Sequence, residues 1–169
     1  IDGGTLDLQS HAIGSVGSPI DTLHFQSGGL QNVGAINGTG GFTKDGDGTF
    51  ILGGSNSFAG PITLNAGALV IGSTDSLGTS GTPITIPHGA TLAAGYAIDP
   101  SFFAYINLGA SGGTVGLAAD SASDLDLSIL GAGLELGAVG EVTYSGTLTP
   151  DGTVYRLGGG GGTDRKSVV

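Results

Sequence analysis

Glycine sets the limits on this chain. It recurs every few residues, 36 times in 169, and opens or closes short runs in which a polar residue alternates with an apolar one. The runs include Gly4-Thr5-Leu6-Asp7-Leu8, Thr22-Leu23-His24-Phe25, Gly48-Thr49-Phe50-Ile51-Leu52, Ile62-Thr63-Leu64 and Gly67-Ala68-Leu69-Val70-Ile71. They continue with Ile84-Thr85-Ile86, Ala90-Thr91-Leu92, Gly113-Thr114-Val115-Gly116-Leu117, Asp124-Leu125-Asp126-Leu127, Gly133-Leu134-Glu135-Leu136, Val142-Thr143-Tyr144 and Val154-Tyr155-Arg156-Leu157. A period of two marks a strand with one face buried. The Gly, Asn, Asp and Ser between runs are what turns require. Glycine this frequent also penalises helix. The best helical stretch is Ile98 to Leu108, where Pro100 can open a short turn of helix.

Many short strands fit a sandwich, a barrel or a parallel solenoid. Tight hairpins need Asn-Gly or Asp-Gly pairs between long strands. Asn37-Gly38, Asp45-Gly46, Asp47-Gly48 and Asp151-Gly152 are present, but the strands beside them are short. A solenoid tolerates short strands because each coil pairs with the coils above and below. The sequence therefore predicts an all-β chain folded as a right-handed parallel β-helix with little helix. About 20 residues per coil gives roughly eight coils, in a rod on the order of 40 Å long at about 4.8 Å per strand.

Composition narrows the function. A net charge of −10 repels phosphate backbones, so nucleic acid is not an expected partner. Zero cysteine removes disulfides and thiolate chemistry. No apolar run approaches the length of about 18 residues that a spanning helix needs, so no transmembrane segment is expected here. Hydrophobic residues at 38% with only 11% charged argue for order rather than disorder.

Residues 38–72 read GTGGFTKDGDGTFILGGSNSFAGPITLNAGALVIG. This stretch resembles the passenger-associated repeat of bacterial autotransporters. The matching positions are Gly40, Gly41, Phe42, Thr43, Lys44, Gly46, Gly48, Thr49, Phe50, Leu52, Gly54, Asn56, Phe58, Gly60, Leu64, Asn65, Gly67 and Leu69. Phe42 and Phe50 stand where the pattern has Leu, and Phe58 where it has Tyr. The resemblance implies a parallel β-helix in a type V secreted passenger, exported to the cell surface or beyond. It implies one partner, the protein's own C-terminal outer-membrane β-barrel outside this segment. It carries no catalytic residues, so these positions are expected to be structural. The physics is compatible: a solenoid can nucleate at one end and propagate coil by coil.

Other chemistry finds little support. Asp45-Gly46-Asp47-Gly48 lacks the further ligands and flanking helices of an EF-hand. Asp124 and Asp126 alternate with Leu125 and Leu127, so with Asp120 they read as a solvated acidic face. Outside the last six residues, Lys44 and Arg156 are the bases available to steady a sugar acid; Lys44 reads as a turn or surface residue, and Arg156 as a side chain snorkelling from a strand. His11, His24 and His88 lie in separate contexts and suggest no metal site. Gly158 to Gly162 lacks the Lys-Ser/Thr of a phosphate loop and reads as a flexible turn. Asn56 or Asn65 is expected at a coil corner, since Asn tolerates left-handed turns and bonds along stacked coils. Phe42, Phe50 and Phe58, spaced eight apart, read as core columns rather than a carbohydrate platform.

The expectation is thus a non-enzymatic stalk segment without catalytic, metal or cofactor sites. The alternatives are an adhesin module for glycan or host protein and, further off, a polysaccharide-active enzyme on the same scaffold. Residues 1–163 are expected to form one passenger segment truncated at both ends. Asp164-Arg165-Lys166-Ser167-Val168-Val169 resembles a translated sequencing adapter and is read as non-native.

Overall fold

A computed structural model describes residues 4–26, 29–79, 81–160 and 163–166. Its strands, in chain order, are β1 (Thr5–Asp7), β2 (Ala12–Ile13), β3 (Leu23–Phe25), β4 (Gly29–Gln31), β5 (Ala35–Ile36), β6 (Phe42–Lys44), β7 (Thr49–Leu52) and β8 (Ile62–Leu64). Then come β9 (Ala68–Ile71), β10 (Thr91–Ala94), β11 (Thr114–Leu117), β12 (Leu125–Asp126), β13 (Glu135–Ala138), β14 (Glu141–Tyr144), β15 (Leu148–Thr149) and β16 (Thr163–Lys166). Most alternating runs become strands. Two do not. Pro83 and Pro87 bracket Ile84-Thr85-Ile86 and offer no N–H, and it makes a single bridge, Ile84 to Ile106. Val154-Tyr155-Arg156-Leu157 makes isolated bridges, Val154 to Asp151 and Leu157 to Leu136, so Arg156 does not extend from a strand as expected.

Helix among the described residues is confined to four 3-10 segments, Thr74–Leu77, Pro100–Tyr105, Leu108–Ala110 and Leu127–Leu130. The second lies where the sequence placed its best helical stretch. Pro100 takes the first helical position, and the Asp99 side chain accepts from the Ser101 N–H at 2.7 Å. No described helix is long and apolar enough to cross a membrane.

Every ladder between these strands is parallel: Thr5 faces Gly29, Thr49 faces Ala68, and Ala68 faces Thr91. A tight hairpin turn cannot join parallel neighbours. The chain returns to each neighbour only after a long circuit, close to the coil length predicted from sequence. The main sheet has the order β13-β11-β10-β9-β7. The flanking sheets are shorter: β3-β6-β8, and the pairs β1-β4, β2-β5, β12-β15 and β14-β16. They do not join into a closed coil. The architecture is mostly strand, with one long stack and broken side faces.

Side chains stack along that register. Phe50, Leu69, Leu92, Val115 and Leu136 form one column, and Leu52, Ile71, Ala94, Leu117 and Ala138 a second. All ten are buried, and each large one contributes about 2 kcal/mol of hydrophobic stabilisation. Phe50 also stacks on Phe25 at a centroid distance of 4.5 Å and tilts against Phe42 at 4.9 Å. These contacts tie the main sheet to β3-β6-β8.

The outward positions of the main sheet are small, and in its middle they too are buried: Ala68, Val70, Thr91, Ala93 and Thr114. Strands buried on both faces lose the clean polar alternation, hence Ala-Leu-Val-Ile in β9. The glycine run, expected as a flexible turn, contributes to this cover. Gly158 donates to the Leu136 carbonyl at 2.9 Å, and Gly159 packs so closely on Thr114 that a Cβ would strike its hydroxyl. Gly161 and Gly162 lie outside the described residues, as do Ser167, Val168 and Val169. Residues 163–166 run beside β14 as β16.

Candidate functional site

The stretch from Gly40 to Leu69 makes two successive layers, and its side chains stitch them to each other and to their neighbours. Lys44 closes β6 and is fully buried, although its Thr-Lys-Asp-Gly setting read as a turn or surface position. Its ammonium donates to the carbonyls of Asp45 at 2.6 Å, Gly46 at 2.7 Å and Ala66 at 3.1 Å. Two acceptors belong to its own turn and the third to the next layer. Three carbonyls take three protons, so the buried cation is satisfied without a salt bridge. Burial pushes the Lys44 amine below the ordinary lysine value, while the charges of Asp45 and Asp47 pull it back.

The turn around this clamp is equally constrained. Gly67 sits at φ +68°, and a Cβ there would lie 2.7 Å from Lys44 Nζ and 2.5 Å from the Gly48 carbonyl. Only a residue without a side chain fits both the left-handed backbone and the close approach. Asn65 donates from its side chain to Asp45 at 2.6 Å, and its N–H bonds the Lys44 carbonyl at 2.9 Å. Asp45 in turn meets His24 Nε2. Three layers are linked at this corner through His24, Asp45 and Asn65.

Asn56 makes a second stitch. Its side-chain oxygen accepts from the Ile36 N–H at 2.6 Å, and its amide donates to Ser76 at 2.5 Å and Gly53 at 3.2 Å. It thus bonds the layer before and the layer after, from a nearly buried position. Between the two stitches lie Phe42, Phe50, Leu52, Phe58, Leu64 and Leu69, all buried. No aromatic row faces solvent from this stretch. Thr43 and Thr49 point outward along their strands, and Gly60 donates to Gly40 at 3.2 Å where adjacent layers cross. The Phe42 N–H, just after Gly41, bonds Pro61 at 3.0 Å, and the Gly48 carbonyl accepts from Ala68 at 3.2 Å. Gly46 takes a positive φ of 65° in the clamped turn.

Groups that could carry chemistry are dispersed. Asp120 and Asp124 spend one carboxylate oxygen each on the N–H of Thr143 and Thr147 in the next layer, both at 2.7 Å. Asp126 accepts from Ser128 at 2.9 Å. The Thr147 hydrogen bond holds the Asp124 carboxyl below its usual value. Asp120 and Asp124 act as backbone acceptors between layers and Asp126 within its own turn, roles that the reading of a solvated face did not include. Arg156 pairs with Asp151 at 3.0 Å. Among the described residues no three His, Asp or Glu side chains converge as a metal site.

Residues 42–71 match the passenger-associated-transport-repeat family. The chain carries an autotransporter passenger repeat. It is also similar to the adhesin BmaC autotransporter of Brucella suis biovar 1 (strain 1330), at 35% identity over 78 residues, or 46% of this chain. The chain spans only 2% of that relative's length. No solved structure matches it. The passenger repeat coincides with the doubly stitched layers, and it places the chain among exported proteins of the cell surface or exterior.

Proposed function

We propose that this chain is a non-enzymatic stalk segment of an autotransporter passenger, a stretch of right-handed parallel β-helix that supports folding during export and displays what lies beyond it. One observation carries the reading: the repeat occupies two layers whose polar side chains are spent on groups of adjacent layers. Lys44, Asn56, Asn65 and Asp45 bind the fold to itself and leave no converging set for a substrate. On this reading Gly40, Gly41, Gly46, Gly48, Gly60 and Gly67 let neighbouring layers approach. Phe42, Phe50, Leu52, Phe58, Leu64 and Leu69 fill the core between them. The partner that follows is the protein's own outer-membrane β-barrel. A stalk of this kind gains stability layer by layer from nearest-neighbour contacts.

The adhesin reading draws on the relative's name, adhesin BmaC, and would assign the segment a host glycan or protein. One experiment separates the two. The full-length protein carrying Lys44→Met and Asn56→Ala is displayed on cells, and both surface exposure of the passenger and adherence are measured. The stalk reading expects exposure to fall and adherence to fall only in proportion. Normal exposure with adherence abolished would overturn it in favour of the adhesin.

A further inference from the structure

The side faces break at one place that leaves two walls of backbone facing each other. Among the described residues, strand β8 pairs with β6 alone. In a parallel ladder successive residues address opposite neighbours. Pro61 accepts from Phe42 at 3.0 Å and Asn65 donates to Lys44 at 2.9 Å, so these alternate residues address β6. Ile62 and Leu64 therefore turn their N–H and C=O groups the other way. The chain next passes that side as Pro83–Pro87. There Ile84 donates to Tyr105 at 2.7 Å, and Ile86 accepts from Gly112 at 2.8 Å. Both face onward, which leaves Thr85 facing back toward β8. No hydrogen bond between described residues joins the two walls. Pro83 and Pro87 have no N–H, so Thr85 is the one residue of this wall that can both donate and accept toward β8.

Two hollows lie along this cleft, of about 400 Å³ and about 360 Å³. Ile62 and Pro83 line both. Tyr105 and Thr82 border the first, and Thr63 and Thr85 the second. Among the described residues neither has a charged side chain in its lining, in a chain of net charge −10.

We propose that this cleft docks an extended, uncharged peptide strand. The backbone of Ile62 and Leu64 pairs with one edge of that strand and Thr85 with the other. Strand addition to an exposed edge is an established mode of peptide recognition. The occupant is a peptide because Ile62 and Leu64 on one wall and Thr85 on the other offer main-chain donors and acceptors. It is uncharged because no lining group would pair a charge removed from water. The site is independent of whether the segment serves as stalk or adhesin.

The test uses the whole 169-residue chain and amide hydrogen exchange read by NMR. The probe is the capped peptide Thr-Val-Thr-Val-Thr-Val-Thr at millimolar concentration, with the same peptide N-methylated at alternate residues as its control. In the free protein the amides of Ile62, Leu64 and Thr85 are expected to exchange faster than those of Leu69 and Leu92. Adding the peptide is expected to slow them at least tenfold, and the N-methylated form to leave them unchanged. Equal protection of all five amides in the free protein overturns the proposal. So does no slowing with the peptide, equal slowing by the N-methylated form, or slowing by maltotriose in place of the peptide.

Discussion

Lys44 shows how a single residue can be read correctly for membership and wrongly for environment. Its position in the motif is visible in Gly-Phe-Thr-Lys-Asp-Gly, and that setting looks solvated. Its burial depends on the Ala66 carbonyl, contributed by a later layer, and no local pattern announces such an acceptor. Replacing it by methionine keeps the length and apolar stem but leaves three carbonyls without their donor. Lys44→Met is expected to cost about 2–4 kcal/mol, since each orphaned buried group costs about 1–3 kcal/mol and some will recruit water. Urea unfolding monitored by circular dichroism measures this, and a loss below about 0.5 kcal/mol (roughly a third of one such bond) would show the clamp to be incidental. Tyr96 offers the opposite case. Among the described residues its hydroxyl is buried without a partner, and burial pushes its ionisation up to about 12. Tyr96→Phe removes an unsatisfied group and is expected to stabilise by about 1 kcal/mol. The alkaline limit should move with it. The folded hydroxyl keeps its proton where the unfolded one, near 10.0, has lost it. Its contribution is therefore complete below pH 10 and lost as pH rises toward 12. The variant should unfold less steeply across that interval.

At the scale of elements, the legible part of the fold was the alternation. Phe50, Leu92, Val115 and Leu136 could be placed inward from sequence because each follows a polar residue in a run of period two; Leu69, in Ala-Leu-Val-Ile, could not. The side faces were not legible. Very short strands such as β2, β5 and β15 carry too little pattern, and their existence depends on partners a full circuit of the chain away. The outward burial of Val70 and Ala93 was equally hidden, because it is created by chain packed outside the sheet. Between elements, Asp124 bonds the Thr147 N–H of the following layer. The carboxyls of Asp7, Asp99, Asp124 and Asp126 are all held below their usual value by hydrogen bonds to the ionised form. On acidification the unfolded chain takes up protons first, near 3.8. This stabilisation is therefore complete above that pH and fades as pH falls through the lower folded values. Acid titration followed by circular dichroism should show the loss, and Asp124→Asn should make its pH dependence shallower. An unchanged acid profile would mean that the Thr147 contact does not hold in solution.

At the scale of the whole molecule, the outermost described layers differ from those between them. Leu6, paired with Leu30, is 48% exposed near the first layer, and Leu157, bridged to Leu136, is 45% exposed near the last. Every member of the main-sheet column between is buried. Interior and end layers should therefore respond differently. Leu92→Ala, in the middle, is expected to cost about 2–5 kcal/mol, and Leu6→Ala less than about 1 kcal/mol. Leu6→Lys with Leu157→Lys should reduce self-association in sedimentation velocity while leaving the urea midpoint nearly unchanged, because half-exposed side chains contribute more to contact between copies than to folding. Equal costs for Leu92→Ala and Leu6→Ala would instead indicate a single cooperative core without layers.

The Lys44 clamp also imposes an order of events. Two of its acceptors, Asp45 and Gly46, are at hand as soon as the turn forms, but the third arrives with Ala66. Until then the ammonium keeps its water. The smallest folded unit in which that water can be given up is a pair of layers, so the repeat behaves as a one-way catch that engages only when the second pass is laid on the first. A chain severed anywhere between Gly46 and Ala66 would have the tooth of that catch on one piece and its stop on the other.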